Sequence, residues 1–499
     1  MKAKKISTTF STAKKAVSML SFALLSGALA QTLTVGLDAD PPRLDPALST
    51  ALVDRQVLNQ IFDKLVDLDQ NLKIIPAIAT SWKVSNGGLT YTFKIRSGVK
   101  FTDGTPLDAE AVRYSLDRNM TLEGSARKNE LGSIKDLKVV DPQTLQINLK
   151  EPYGPLLAVL TDRAGMIVSP AAAKKEGQDF QNNPVGSGAF KFTSRRRQDN
   201  ITLDANAGYW GGAPKIDKLV YRPFPDGDVR YANLLSGAVQ AITPIDPKDI
   251  SKLSADSKFT VMNYPGLGFQ GVWFNTTRAP FNSKTLRQAV AATIDRDAVA
   301  KVVFYDTVTP ASGPFPPGTP AASKAIKVPK PDLAAAKKKL GGKPLTFTLL
   351  TVPGSVTTQL AQLYQAMFAQ AGITAKIEQV EFGTLLDRAD KQDFDALMLG
   401  WSGRPDPDGN IYDFFVTGGS NNQGGYSNKT VDSLLAKARA QTAMPARVAT
   451  YNVALGTILN DTPYTWVYYQ TNLVGTVKGL SGLKPIPDGI LRFKDVELK

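Results

Sequence analysis

Leu345-Thr346-Phe347-Thr348-Leu349-Leu350, the helical run Thr357 to Ala371 with apolar side chains at Leu360, Leu363, Met367, Phe368 and Ala371, and the second β-rich run Thr374 to Phe382 together set the architecture of this 499-residue chain. The spacing of the five apolar positions is that of one helix face, and Gly372 stands where a helix stops. Strand, helix, strand in this order is the βαβ arrangement of a parallel or mixed sheet covered by helices, which places the protein in the α/β class.

Just downstream, Phe394 to Trp401 reads as a further strand of the same sheet, running into Ser402-Gly403-Arg404-Pro405-Asp406-Pro407-Asp408-Gly409. Ligands of open α/β sheets bind beyond the carboxyl ends of strands. Trp401 supplies a flat stacking face, Gly403 lets the backbone approach closely, and Arg404 offers a rigid fork of donors for a carboxylate or phosphate. The competing reading makes Trp401 a core plug and pairs Arg404 with Asp406 or Asp408 on the surface. Upstream, Leu33 to Leu37 is a strand that breaks into Asp38-Ala39-Asp40-Pro41-Pro42, and Val53 to Val66 repeats apolar residues at helical spacing. Leu89 to Ile95 is another strand, and Asp108 is a suitable N-cap for a helix carrying Ala111, Val112, Tyr114 and Ser115. Prolines 310, 314, 316, 317 and 320 mark an ordered excursion, since the chain has no Ser/Gly-rich linker.

Composition narrows the chemistry. Lys2, Lys4, Lys5, Lys14 and Lys15, the apolar stretch Ala16 to Leu29 and the small residues Ala28-Leu29-Ala30 read as a secretory signal, with a mature chain starting near Gln31. Cysteine is absent, which removes disulfides and a lipid-bearing cysteine and points to free diffusion in the periplasm. Histidine is absent as well, excluding Ser-His and Cys-His nucleophiles, ordinary zinc sites and imidazole bases. No catalytic residue, metal or cofactor is expected. The first 30 residues hold five lysines and no acid, so the formal charge of +14 becomes +9 without them. The runs Arg195-Arg196-Arg197 and Lys337-Lys338-Lys339 read as solvated surface, and no aromatic interleaving suggests nucleic-acid binding.

Ala79-Thr80-Ser81-Trp82-Lys83-Val84-Ser85, Leu89 to Gly104 and Asp108-Ala109-Glu110-Ala111-Val112 resemble the signature of the family 5 extracellular solute-binding proteins, the peptide, nickel and oligosaccharide receptors of ABC importers. The likeness continues through Gly186-Ser187-Gly188, Tyr209-Trp210-Gly211-Gly212, Phe274-Asn275-Thr276, Leu286 to Val290 and Gly425 to Leu434, and so covers the chain beyond its first 30 residues. The resemblance implies a two-lobe, periplasmic-binding-protein type II-like fold with an extra subdomain in the first lobe (cluster C type). Lobe I would run over 31–265 and lobe II over 266–470, with 471–499 returning to lobe I and 1–30 as the signal peptide. The two crossing strands of the hinge would fall near Gly266 to Trp273 and Trp466 to Asn472.

The implied function is capture of a peptide or peptide-like solute between two closing lobes by a monomer, with delivery to an inner-membrane ABC permease. Other readings are an oligosaccharide receptor of the same family, a sensor partner, and an exported carboxylate-dependent hydrolase. Trp82, Phe93, Phe101, Gly104, Trp210 and Asn275 read as scaffold, whereas the pocket candidates are Asp38, Asp40, Phe269, Trp273, Trp401, Gly403, Arg404, Asp406 and Asp408. Family members that take free dipeptides carry an aspartate for the ammonium group in the turn after the tryptophan, where this chain has Arg404. Their carboxylate-binding arginine has no counterpart in Val352 to Thr358. Both changes lead to the expectation of a ligand with an accessible carboxylate at Arg404.

Overall fold

The computed structural model describes Met1, residues 31–323 and residues 325–499, so the expected secretory signal lies, apart from Met1, outside the described residues. The βαβ unit forms as its pattern demands. Strands Leu345–Thr351 and Ile373–Gln379 pair in parallel, Leu345 opposite Ile373, with the helix Ser355–Ala369 between them. Leu360, Met367 and Phe368 turn inward from that helix onto Phe347 and Leu349. The expected strand after Phe394 is shorter than its apolar run, Ala396–Met398. Gly400 ends it by close approach: a Cβ there would lie 2.2 Å from the Phe269 carbonyl oxygen. The chain regains contact one residue later, where Trp401 and Phe269 exchange backbone hydrogen bonds of 2.8 and 2.9 Å. The expected strand end at Phe382 also differs, because Glu381 caps a helix, Phe382–Asp390, by accepting from the Gly383 and Thr384 amides.

These strands form one half of an eleven-stranded sheet. Its centre is a long antiparallel pair, Phe259–Phe274 against Tyr464–Val477. The register slips between Pro265 and Phe269, where Gly266, Leu267 and Gly268 bulge out of the ladder. On one side of this bulge the pair continues into Ala396–Met398 and the βαβ unit. On the other it continues through Ala241–Thr243 and Thr32–Leu37 to Lys218–Pro223, Asn200–Ala205 and Phe190–Arg196. Two strands therefore carry the chain between two sheet halves, and bulges locally bend and twist a ladder at such places.

A separate four-stranded antiparallel sheet, Ala79–Ser85, Thr90–Ile95, Thr144–Leu149 and Ile134–Asp141, elaborates the first half. Asp108 caps its helix Ala109–Thr121 by accepting from the Ala111 amide. Phe93, Phe101, Val112 and Leu116 meet in its core. Beyond residue 477 the chain packs Leu491, Phe493 and Val496 against Leu33 and Val35. Gln56 and Gln60, on the helix Leu52–Ile61, each hold this tail by one donated and one accepted backbone hydrogen bond.

The motif residues expected to be scaffold are occupied as scaffold. Asn275 donates to the carbonyls of Gln392 and Phe394. Trp210 stacks beneath Arg96 and, with Tyr209 and Ser187, donates to the buried Asp63 carboxylate at 2.7–2.8 Å. Burial pushes the Asp63 carboxyl up to about 6 against these three hydrogen bonds. Asp63→Ala is expected to destabilise the chain by about 2–3 kcal/mol in urea unfolding, because one buried and two part-buried donors lose their acceptor. A loss below about 0.5 kcal/mol would refute this role.

Candidate ligand-binding site

At the crossing strands the two sheet halves enclose a cavity of about 650 Å³. One wall comes from the strand-end loop Asp38-Ala39-Asp40 and the start of the helix at Leu52. The opposite wall comes from Thr351 to Pro353, Gln379 to Phe382 and Met398 to Ser402, with Gln270, Trp273, Tyr468 and Gln470 between them on the crossing pair. A volume of this size suits a small organic solute, and the arrangement gives it contacts on both sides of the bulge.

The turn at Trp401 is built around a buried tie. Trp401 is 8% exposed and lines the cavity, while its indole N–H is buried and has no hydrogen-bond partner among the described residues. Behind it the Arg404 guanidinium lies 4.1 Å from the indole ring centre, and its Nε stands 2.8 Å from Asp162 Oδ2. Arg404 does not line the cavity. The surface pairing with Asp406 or Asp408 is also corrected, because those acids belong to other arginines. Asp406 binds Arg447 at 2.8 Å, and Asp408 binds Arg439 at 2.6 Å and the Tyr451 hydroxyl at 2.7 Å, fastening two C-terminal helices. Burial pushes the Arg404 guanidinium down to about 9, with Asp162 opposing. Asp162 is itself held well below the usual carboxylate range, since Arg404, Arg55 and Arg163 outweigh the effect of its burial.

Gly403 has φ +82°, and a Cβ there would fall 2.1 Å from the Leu267 carbonyl, so the turn seats directly on the bulge. Phe269 is 1% exposed and lies behind Trp401 in the core instead of on the cavity wall. Trp273 both fills the core and lines the cavity.

Asp38 and Asp40 line the cavity from the opposite wall. Arg195 binds Asp40 at 3.1 Å with its side chain only 7% exposed, which corrects the solvated-surface reading for Arg195, whereas Arg196 and Arg197 are exposed as expected. Asp38 faces cavity solvent, and among the described residues no side chain forms an ion pair with it. Its carboxyl is raised by desolvation, with Arg230 opposing. Sequence reasoning missed Glu381, Asp390, Gln198, Gln423 and Asn421, which reach the cavity from loops and helix ends that carry no local ligand pattern. Gln270 and Gln470 were within reach of inference, since both sit on the expected crossing strands.

The fold and cavity define a two-lobe binding protein of the periplasmic type II class. The family model for bacterial extracellular solute-binding proteins, family 5 Middle, matches residues 73–423, and the chain belongs to this family. The glutathione-binding protein GsiB of Escherichia coli O1:K1 / APEC is 29% identical over 486 residues, covering 94% of this chain and 95% of that protein. The ABC transporter-associated periplasmic binding protein DppA from Helicobacter pylori, solved in complex with peptide STSA, superposes with a TM-score of 0.88 at 27% identity, covering 94% of this chain and 98% of that one. The Escherichia coli murein tripeptide binding protein MppA gives a TM-score of 0.88 at 25% identity, covering 94% and 99%. Among the described residues no helix is long and apolar enough to cross a membrane.

Proposed function

We propose that this chain is a periplasmic receptor that captures a peptide or peptide-like solute and presents its closed form to an inner-membrane ABC permease. The single observation that carries this reading is the cavity lined from both sides of the crossing strands: a ligand touching both walls favours the closed arrangement. Contacts across the bulge support it. Arg43 reaches Asp387 at 3.3 Å, Arg404 reaches Asp162, and Ser355 binds Asp246. The names of the relatives supply the solute class. In this proposal 31–265 and 266–470 are the lobes, 471–499 returns to the first, and residues 1–30 direct export. The receptor acts as a monomer, without catalysis, metal, cofactor or nucleic acid. Trp401, Trp273, Asp38 and Asp40 touch the solute, whereas Arg404, Gly403, Phe269, Asp406 and Asp408 hold the wall that carries Trp401.

A pyranose stacked on Trp401 gains no support, since Arg404 covers one ring face and the residue is only 8% exposed, which leaves little open ring for a sugar. Native mass spectrometry of protein purified without denaturation is expected to reveal a retained peptide-like mass. Adding that solute to stripped protein should narrow the small-angle scattering profile. A retained sugar, or saturable binding with no compaction, would count against the proposal.

A further inference from the structure

The charge of the cavity wall contradicts the ligand chemistry expected from Arg404. Its described lining residues include the carboxylates Asp38, Asp40, Glu381 and Asp390 and no lysine or arginine. Three guanidinium groups stand behind these acids, and each is engaged. Arg195 binds Asp40, Arg43 sits 3.3 Å from Asp387 and 4.0 Å from Asp390, and Arg230 binds Asp246 at 3.1 Å. Glu381 is partly satisfied as a helix cap. Counting Asp246 and Asp387 with the four wall acids, this layer has three more carboxylates than guanidinium groups.

Beyond Ser402 lies a region of opposite sign. Arg55, Arg127, Arg163 and Arg404 are faced there by Asp54, Glu130 and Asp162, an excess of one positive charge that leaves the surroundings net negative. A second observation concerns Asp38. Asp38 stays exposed on the cavity wall, and among the described residues no side chain forms an ion pair with it.

We propose that the cavity selects cationic peptide-like solutes, with Asp38 receiving an ammonium or guanidinium group. Asp38 is assigned because, among the wall acids, it is the one with neither an arginine in ion-pair contact nor a helix terminus to satisfy it. An anionic solute would meet uncompensated like charge in a partly desolvated space, which disfavours it strongly. The inference rests on the peptide-receptor reading, and its test separates the two.

Full-length protein is titrated by calorimetry with Gly-Lys-Gly, Gly-Gln-Gly and Gly-Glu-Gly, and with the non-peptide amines putrescine and arginine amide. Gly-Lys-Gly should bind at least tenfold more tightly than Gly-Glu-Gly. Asp38→Asn should weaken Gly-Lys-Gly binding by about 10- to 100-fold while changing Gly-Gln-Gly binding less. Asp38→Glu should restore part of the loss, and unchanged melting temperatures should show that both variants fold. Peptides that bind without charge preference, or with equal weakening by Asp38→Asn, overturn the inference and leave the peptide reading intact. Amines that bind through Asp38 while every peptide fails overturn the peptide reading and uphold cation selection. Binding of no probe in either arm overturns both.

Discussion

Replacing Asp162 with alanine is expected to cost about 3–5 kcal/mol of folding stability, read as a lowered urea midpoint. Asp162 is 5% exposed, with Arg404 Nε at 2.8 Å, Arg55 Nε at 3.0 Å and Arg163 Nε at 3.9 Å. Arg163 is fully buried, and its Nε and Nη2 already lack hydrogen-bond partners. Without the carboxylate, three buried guanidinium groups would face one another with no opposing charge between them. Removing one partner of a buried pair costs far more than the pair contributes net, because the charge left behind stays desolvated. The double variant Asp162→Ala/Arg404→Ala is therefore expected to be less destabilised than the sum of its singles, with a coupling of about 1–3 kcal/mol. The effect also has a pH signature. Since Asp162 is held below its unfolded value, near 3.8, its stabilisation is present above about pH 4 and is lost as the pH falls further. The gap between wild type and Asp162→Ala should narrow in that acid range. A single variant within 1 kcal/mol of wild type at pH 7 would refute the tie.

Asp162 also marks where sequence reasoning stopped. The βαβ unit was legible because period and length are local properties, and Leu360, Met367 and Phe368 face the core as their spacing requires. Family motifs located the crossing strands, where the structure has Phe259–Phe274 paired with Tyr464–Val477. Arg404 was recognised as special, but its partner lies in a 3₁₀ connection far away in sequence, and no periodicity couples the two. The same holds for Arg195 and Asp40. A buried ion pair is a product of tertiary convergence, and either member read alone resembles a ligand contact or a surface charge. Strand length failed for a related reason: the apolar run continues to Leu399, but the ladder stops where Gly400 meets the Phe269 carbonyl. The wall acids Glu381 and Asp390 were hidden because each stands at a helix end, where acids serve equally well as caps or surface charge.

Phe269→Ala is the second large effect, and it distinguishes a pocket residue from a pillar behind the pocket. Phe269 packs edge-on against Phe414 at 5.8 Å, Tyr464 at 5.7 Å and Trp466 at 6.2 Å between ring centres. Truncating a core phenylalanine costs about 3–5 kcal/mol, including the cavity it leaves. The backbone exchange with Trp401 survives the substitution, since it uses main-chain atoms alone. Trp401, however, shares Phe414 with Phe269 as a packing partner, at 5.0 Å between ring centres, so its indole loses support from one side. The expected order of effects is therefore a large fall in the urea midpoint with a smaller fall in solute affinity, whereas Phe269→Leu should retain most of both. A direct ligand contact would give the reverse order, with affinity lost and stability kept. That outcome would move Phe269 back to the cavity wall, as the sequence alone suggested. The expected order would place the specificity of the site in the wall residues themselves, with the aromatic cluster setting how rigidly the Trp401 ring is held in the wall.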